Sequence, residues 1–339
     1  MLTRRSLLAN AASVAAVGAI SPALMSQALA QTVAPAYPDR PIRIIVGYAA
    51  GGGVDIVARL LSEPMKQAFG GQTIIVENRT GASAMIAAGA VAKAAPDGYS
   101  LLMAASGEVA INQHLFKDKM AYDPRRELMP VALVGIVPCV VVVAEGTPVH
   151  NPQELIAYAK ANAGKLSFSS SGVGNPQQLA GELMNSMAGT NVLHVPYRGS
   201  APAVTDVATG AVTMSFSSLA AALPLIQSGK IRAVAVTSKE RMPQLPDVPP
   251  LSEGAPGLAQ YELLNWFGLF ATAGTPPDVV ERLNDIVNNA LATPAIADRL
   301  MPQGIVPKPM SVKEFGSFVE SETEKFGAIV KAADIKLGN

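Results

Sequence analysis

Tyr48-Ala-Ala-Gly-Gly-Gly-Val-Asp55 joins the β-branched run Ile42–Val46 to a stretch whose apolar residues recur at helical spacing as far as Met65. Glycines placed there let the backbone turn tightly and present several N–H groups together, and a helix starting there adds the positive end of its macrodipole. The chemistry this permits is the holding of an anion. A triphosphate loop needs a Lys after its glycines and a dinucleotide fold needs G-x-G-x-x-G, and neither occurs in this segment. What is left is a small anion such as a carboxylate, with Tyr48, Ala50, Gly51, Gly52 and Asp55 around it. The same residues also fit a plain βα unit in which the glycines only permit a sharp turn and Asp55 caps the helix.

Two further loops have the same placement between a strand and a helix. Ser169-Ser-Ser-Gly-Val-Gly-Asn-Pro-Gln-Gln178 offers hydroxyls, amides and free N–H groups without fixed charge, which makes Ser171, Gly172, Asn175, Gln177 and Gln178 candidate ligand contacts. His194-Val-Pro-Tyr-Arg-Gly-Ser-Ala-Pro202 adds Tyr197 and Arg198. An Arg can clamp a carboxylate bidentately, but one beside Gly can equally be solvated or paired with an acid. Tyr48, at a strand end just before the glycines, could stack on a ligand or wall it in. Ser106 and Ser217 complete the candidate set.

Nucleophilic chemistry would need Ser170 or Ser171 with His194 as base. No G-x-S-x-G elbow occurs, and His194 directly follows an apolar strand, so it is read as a structural histidine. Trp266 and Phe267 are read as core. The three histidines lack metal-ligand spacing, and the single cysteine, Cys139, sits in the apolar run Val137–Val143 and cannot form an internal disulfide. No metal and no cofactor are therefore expected.

The elements that must position these loops alternate between strand and helix, which predicts an α/β protein with parallel sheets covered by helices. Ile42–Val46, a helix over Asp55–Phe69, Thr73–Glu77, a helix ending over Gly89–Ala95 and Ser100–Ala104 come first. Val131–Val143, broken at Pro138, suits a strand passing from one domain to another. The βα pattern then restarts: helix Pro152–Ala161, strand Leu166–Ser169, helix Gln177–Ala188, strand Val192–Val195, helix Ala203–Thr209, and strands Thr213–Phe216 and Ala233–Thr237. After the Pro-rich Met242–Pro256, Asn265–Ala271 reads as a returning strand, and helices Pro277–Leu291, Pro294–Pro302 and Val312–Ala333 finish the chain. Two crossings imply two α/β lobes, 31–132 with 254–339 and 133–253, joined by a hinge with a ligand cleft between them.

The first thirty residues carry Arg4 and Arg5, an apolar core over Leu7–Ile20, and Ala28-Leu29-Ala30 before Gln31. This is the pattern of a secretory signal peptide over residues 1–30, with either Sec or Tat export open. Lys+Arg and Asp+Glu are equal at 26 each, which gives no electrostatic footprint for nucleic acid. No later stretch is long and apolar enough to span a bilayer.

Across nearly all of the chain after residue 30, the sequence resembles a known family. Tyr37-Pro-Asp-Arg-Pro-Ile-Arg43, Ala49-Ala-Gly-Gly-Gly-Val-Asp55, Val76-Glu-Asn-Arg79, Ala94-Ala-Pro-Asp-Gly-Tyr99, Pro130-Val-Ala-Leu-Val134, His194–Pro202 and Pro246-Asp-Val-Pro249 stand in the order found in the tripartite tricarboxylate transporter substrate-binding proteins, the Bug (Bordetella uptake gene) family. The resemblance implies a two-domain periplasmic binding protein of type II-like architecture. Such a receptor closes on a small organic acid and hands it to a membrane permease of the tripartite tricarboxylate type or to a sensor kinase. It would be a monomer and not an enzyme. In that family two loops grip a carboxylate through N–H groups, hydroxyls and waters, and these map onto Tyr48–Asp55 and Ser171–Gln178. Relatives often place Thr or Ser at Asn175, His at Gln178 and Asp after the strand where Ser217 and Ser218 stand here. These departures favour a plain dicarboxylate or an aromatic acid over an amino acid. The competing expectation is a secreted α/β hydrolase acting on a carboxylate-containing substrate.

Overall fold

The computed structural model describes residues 37–333 and 335, and one compact unit begins at Arg40. The expected signal peptide, with its junction near Gln31, lies outside the described residues. Strand β1 (Ile42–Val46) buries every side chain but Arg43, so its apolar run sits under cover on both faces. It leads through the glycine loop to α1 (Gly53–Ala68), whose Val54, Val57, Ala58, Leu61 and Met65 recur every three or four residues on the buried side. Strand β2 (Ile74–Asn78), α2 (Met85–Ala92) and β3 (Ser100–Ala105) follow, with β2 and β3 parallel to β1 on either side.

A five-residue π-helical turn, Gly107–Ile111, and the short helices α3 (Asn112–Leu115) and α4 (Pro124–Glu127) lead into β4 (Leu128–Ala144). At 17 residues this strand serves two sheets. It pairs antiparallel with β9 (Leu264–Thr272) through Pro138 and with β7 from Cys139 onward. The sequence suggested a break at Pro138. The strand instead runs through, and the proline's missing N–H falls where one ladder hands over to the other.

The second sheet is built from α5 (Pro152–Ala161), β5 (Ser167–Ser170), α6 (Pro176–Ala188), β6 (Leu193–Pro196), α7 (Ser200–Ala208), β7 (Met214–Ser218), α8 (Leu219–Gln227) and β8 (Ile231–Val236). Strand β5 is parallel to β6 and β7, while β4 is antiparallel to β7 and β8. Both sheets are thus mixed, where the sequence led us to expect parallel ones, because the two long crossing strands run against their neighbours. Helix α8 was missed, since Pro224 lies inside it. After β9, α9 (Pro277–Leu291), α10 (Pro294–Leu300), the short β10 (Val306–Pro307) and α11 (Val312–Ala332) return to the first sheet, with β10 pairing with β4. Strand order is β2-β1-β3-β9-β4 in the first sheet and β4-β7-β5-β6 in the second.

Each sheet has its own aromatic anchor. Trp266 is fully buried with Phe315 edge-on at 6.0 Å, and Phe168 meets Phe216 edge-on at 5.6 Å. Among the described residues no helix is long and apolar enough to cross a membrane.

Candidate functional site

The C-terminal ends of β1 and β3, the start of α1, the start of α6 and the β4–β9 crossing surround one cleft of about 240 Å³. That is larger than the roughly 150 Å³ that holds a benzene, and suits a small metabolite.

Helix α1 begins without a side-chain cap. Its N-cap is Gly52, no side chain accepts from its first turn, and Gly53 and Val54 line the cleft. The first N–H groups of any helix lack intrahelical partners, so here they open toward the cavity with the helix dipole behind them. Two glycines favour this arrangement. Gly51 has φ +81°, and a Cβ on Gly53 would stand 3.2 Å from the ring of Phe267. The loop is stapled from below by Asp55, 2% exposed, which accepts from Gly51 N (2.9 Å), Arg59 Nε (3.0 Å) and Asn78 Nδ2 (2.8 Å). Asn78 also donates to Tyr48 O at 3.0 Å. Burial alone would raise the Asp55 pKa, but the bonds from Arg59, Gly51 and Asn78 outweigh it and hold the group below the ordinary carboxylate range. Asp55 therefore positions the loop and does not cap the helix.

The opposing loop is built differently. Asn175 caps α6, accepting from Gln178 N at 3.0 Å and donating to Ser171 Oγ at 2.9 Å. Gln177 accepts from Ser171 N (2.7 Å) and donates to Ser200 Oγ (3.0 Å), while Gln178 accepts from Gly174 N (2.8 Å). Its polar side chains thus largely satisfy one another.

Behind Tyr48, the fully buried Glu108 of the π-turn accepts from the Tyr48 hydroxyl at 2.7 Å and from Ala105 N at 3.0 Å. Burial pushes its carboxyl up to about 7, with those bonds pulling the other way. Among the described residues no charged side chain lines the cleft.

Of the residues singled out from sequence, the structure brings Tyr48, Gly52, Ser171, Asn175 and Gln177 together in the lining. Ala50 and Gly51 are exposed at the loop tip, and Asp55, Ser106, Gln178 and Ser217 are buried behind it. Gly172 lies beside the lining, and Tyr197 turns its hydroxyl onto Asp206. Arg198 is exposed, outside the lining. Phe267, Asn265, Cys139 and Ser218 line the cleft and were not selected. The parity of a strand decides such cases: Trp266 points to the core, and its neighbours Asn265 and Phe267 point to the cavity. Cys139 is 2% exposed and burial pushes its thiol up to about 12, so it is present as a thiol.

Ser170 and His194 do meet, at 2.7 Å. The serine is fully buried, however, and its Oγ also lies 2.8 Å from Gly172 O, which can only accept the hydroxyl proton. With that proton on Gly172, the His194 ring donates to the serine, the reverse of what a general base requires. Burial lowers the His194 pKa to about 4, so the ring is neutral at pH 7. Among the described residues no three His, Cys, Asp or Glu side chains form a group that could hold a metal ion.

The profile of the tripartite tricarboxylate transporter family receptor matches residues 57–335. Protein BugT of Bordetella pertussis is 33% identical, covering 89% of this chain and 91% of BugT. A Rhodopseudomonas palustris protein solved with adipate superposes with a TM-score of 0.81 at 33% identity, over 88% of this chain and 99% of that one. MatC of the same organism, solved with malate, gives 0.77 at 31% identity, over 87% and 100%. These matches, with the two-lobed α/β architecture, show that the chain belongs to the tripartite tricarboxylate transporter receptor family of periplasmic solute-binding proteins.

Proposed function

We propose that this protein is a periplasmic receptor that captures a small organic carboxylate, a dicarboxylate before an aromatic acid, and delivers it to a membrane permease of the tripartite tricarboxylate type. The observation that carries the reading is the uncapped N-terminus of α1 opening into a cleft with no charged side chain. A carboxylate there completes the helix's open N–H groups and meets the favourable end of the dipole. Asp55 is already matched by Arg59, so the loop's own acid does not offset that field.

The two lobes divide at 132/133 and again at 253/254. The change of partners along β4 at Pro138–Cys139 supports a first crossing close to that boundary. Closure follows if the ligand touches both lobes, because only differential affinity for the closed form shifts the population. That relatives were solved with adipate and malate supports the carboxylate class.

The test is a thermal-shift titration of the mature protein with malate, adipate, benzoate and an amino acid. A ligand at a hundred times its Kd adds about 2.7 kcal/mol to stability. That raises Tm by on the order of 4–5 °C in a chain of this size. A carboxylate-specific, concentration-dependent rise is the expected result. No rise with any acid would overturn the reading.

A further inference from the structure

We infer that Asn265 reads a second oxygen acceptor on the ligand, at the end remote from the carboxylate held by α1, and that Ser106 positions it for this. The inference rests on the carboxylate reading above and deepens it.

Asn265 is the second residue of β9, beside the crossing, opposite Val137 and next to the Pro138–Leu264 pair where β4 changes sheets. Its side chain lines the cleft. The carboxamide oxygen is engaged twice, accepting from Ser106 Oγ and from Trp266 N, each at 2.9 Å. A backbone N–H can only donate, so the atom facing Trp266 N must be oxygen, and the orientation of the amide follows. Both protons of Nδ2 are then left with no acceptor among the described residues. They belong to a half-buried group whose neighbours in the lining include Val137, Phe267 and Ile305, none of which offers a side-chain acceptor. A ligand that fills the cleft takes this donor out of water, where leaving it unmet is costly, and an oxygen of the ligand meets it.

The strand order separates this donor from the first anion site. Between the end of β1, where α1 begins, and the start of β9 stands β3, and two strand spacings are about 10 Å. A single carboxylate cannot satisfy both places. The ligand class is therefore an extended acid carrying a second oxygen acceptor at its far end, with a diacid matching best because its second carboxylate offers a charged acceptor to the Nδ2 donor. An ammonium group at that end has nothing to offer Asn265.

Ser106 is fully buried and does not reach the ligand. It acts through Asn265: its hydroxyl holds the carboxamide oxygen, and it precedes the π-turn whose Glu108 fixes Tyr48.

Calorimetric titration of the mature protein with succinate, adipate and suberate, each against its matched monocarboxylate, tests this. Wild type is expected to prefer the diacid of best length over its monoacid. Asn265→Ala should lose about tenfold to a hundredfold in diacid affinity, the range for a hydrogen bond to a charged acceptor, with monoacid binding little changed. Asn265→Asp keeps the shape and both bonds to the oxygen but turns the donor into an acceptor, and should lose more still. Ser106→Ala should lose less, and adding it to Asn265→Ala should cost nothing further, as expected of a residue acting through another. Diacid affinity unchanged in Asn265→Ala and Asn265→Asp would overturn this inference alone. Absence of any acid binding to wild type would overturn it together with the carboxylate reading.

Discussion

The two loops that face each other across the cleft follow the same local plan, a strand end, glycines and a helix start, yet they end in opposite states. At α1 the N-cap is a glycine without a side chain, and the first turn is open to the cavity. At α6 the cap is Asn175, and Ser171, Gln177 and Gln178 are bound within the loop or to Ser200. The loop that is poor in polar side chains leaves its first-turn donors uncapped at the cleft. The loop that is rich in them engages most of them in its own architecture. On the proposed function, polarity read from sequence overstates the contribution of the second loop and understates that of the first.

The largest test of this contrast is Gly53→Val. The added side chain meets Phe267 and covers the open N–H groups, and calorimetry should show carboxylate affinity falling about a hundredfold, equivalent to losing one charge-assisted hydrogen bond of nearly 3 kcal/mol. Next is Asp55→Ala, which removes the acceptor shared by Gly51 N, Arg59 and Asn78. A loss of about 2–3 kcal/mol is expected, lowering Tm by on the order of 5 °C. Asn175→Ala should cost about 1 kcal/mol of stability, the value of an N-cap, while carboxylate affinity changes by only a few-fold. If Asn175→Ala weakened binding more than Gly53→Val, the assignment of the two loops would have to be exchanged.

A finer distinction comes from pH. His194, behind the α6 loop, has its pKa lowered to about 4, so the stability its neutral form contributes is lost as pH falls from about 6.5 toward 4. Glu108, behind Tyr48, has its pKa raised to about 7, so its contribution is present at pH 4.5 and lost as pH rises through 7. The two oppose each other. Denaturant titrations should show Glu108→Gln losing stability more steeply than wild type on acidification through 6.5. The slope should turn the other way in His194→Gln.

Much of this was legible in the residues. Strand β1 and helices α5 and α9 have the bounds that their periodicity and prolines suggest, and the glycine loop stands, as its spacing suggests, between a strand end and a helix start. Phe267 was not legible as a lining residue because its apolar character fits a core equally well, and only strand pairing fixes which face it takes. Asn265 was hidden for a different reason. Its role depends on Ser106, 159 positions away in sequence, taking one side of its amide and leaving the other free. The π-turn Gly107–Ile111 carries no local signal either, since Glu108 reads as an ordinary surface acid until its burial is seen.

The most direct measurement of the central claim is an amide ¹H–¹⁵N titration of the mature protein with a bound dicarboxylate, following Gly53 and Val54 at the start of α1 and Ser171 and Gly174 across the cleft. The account predicts large downfield shifts for Gly53 and Val54, whose N–H groups acquire a charged acceptor, and small ones for Ser171 and Gly174, which keep Gln177 and Gln178 as partners. Unmoved α1 amides with large shifts confined to Ser171 and Gly174 would contradict it.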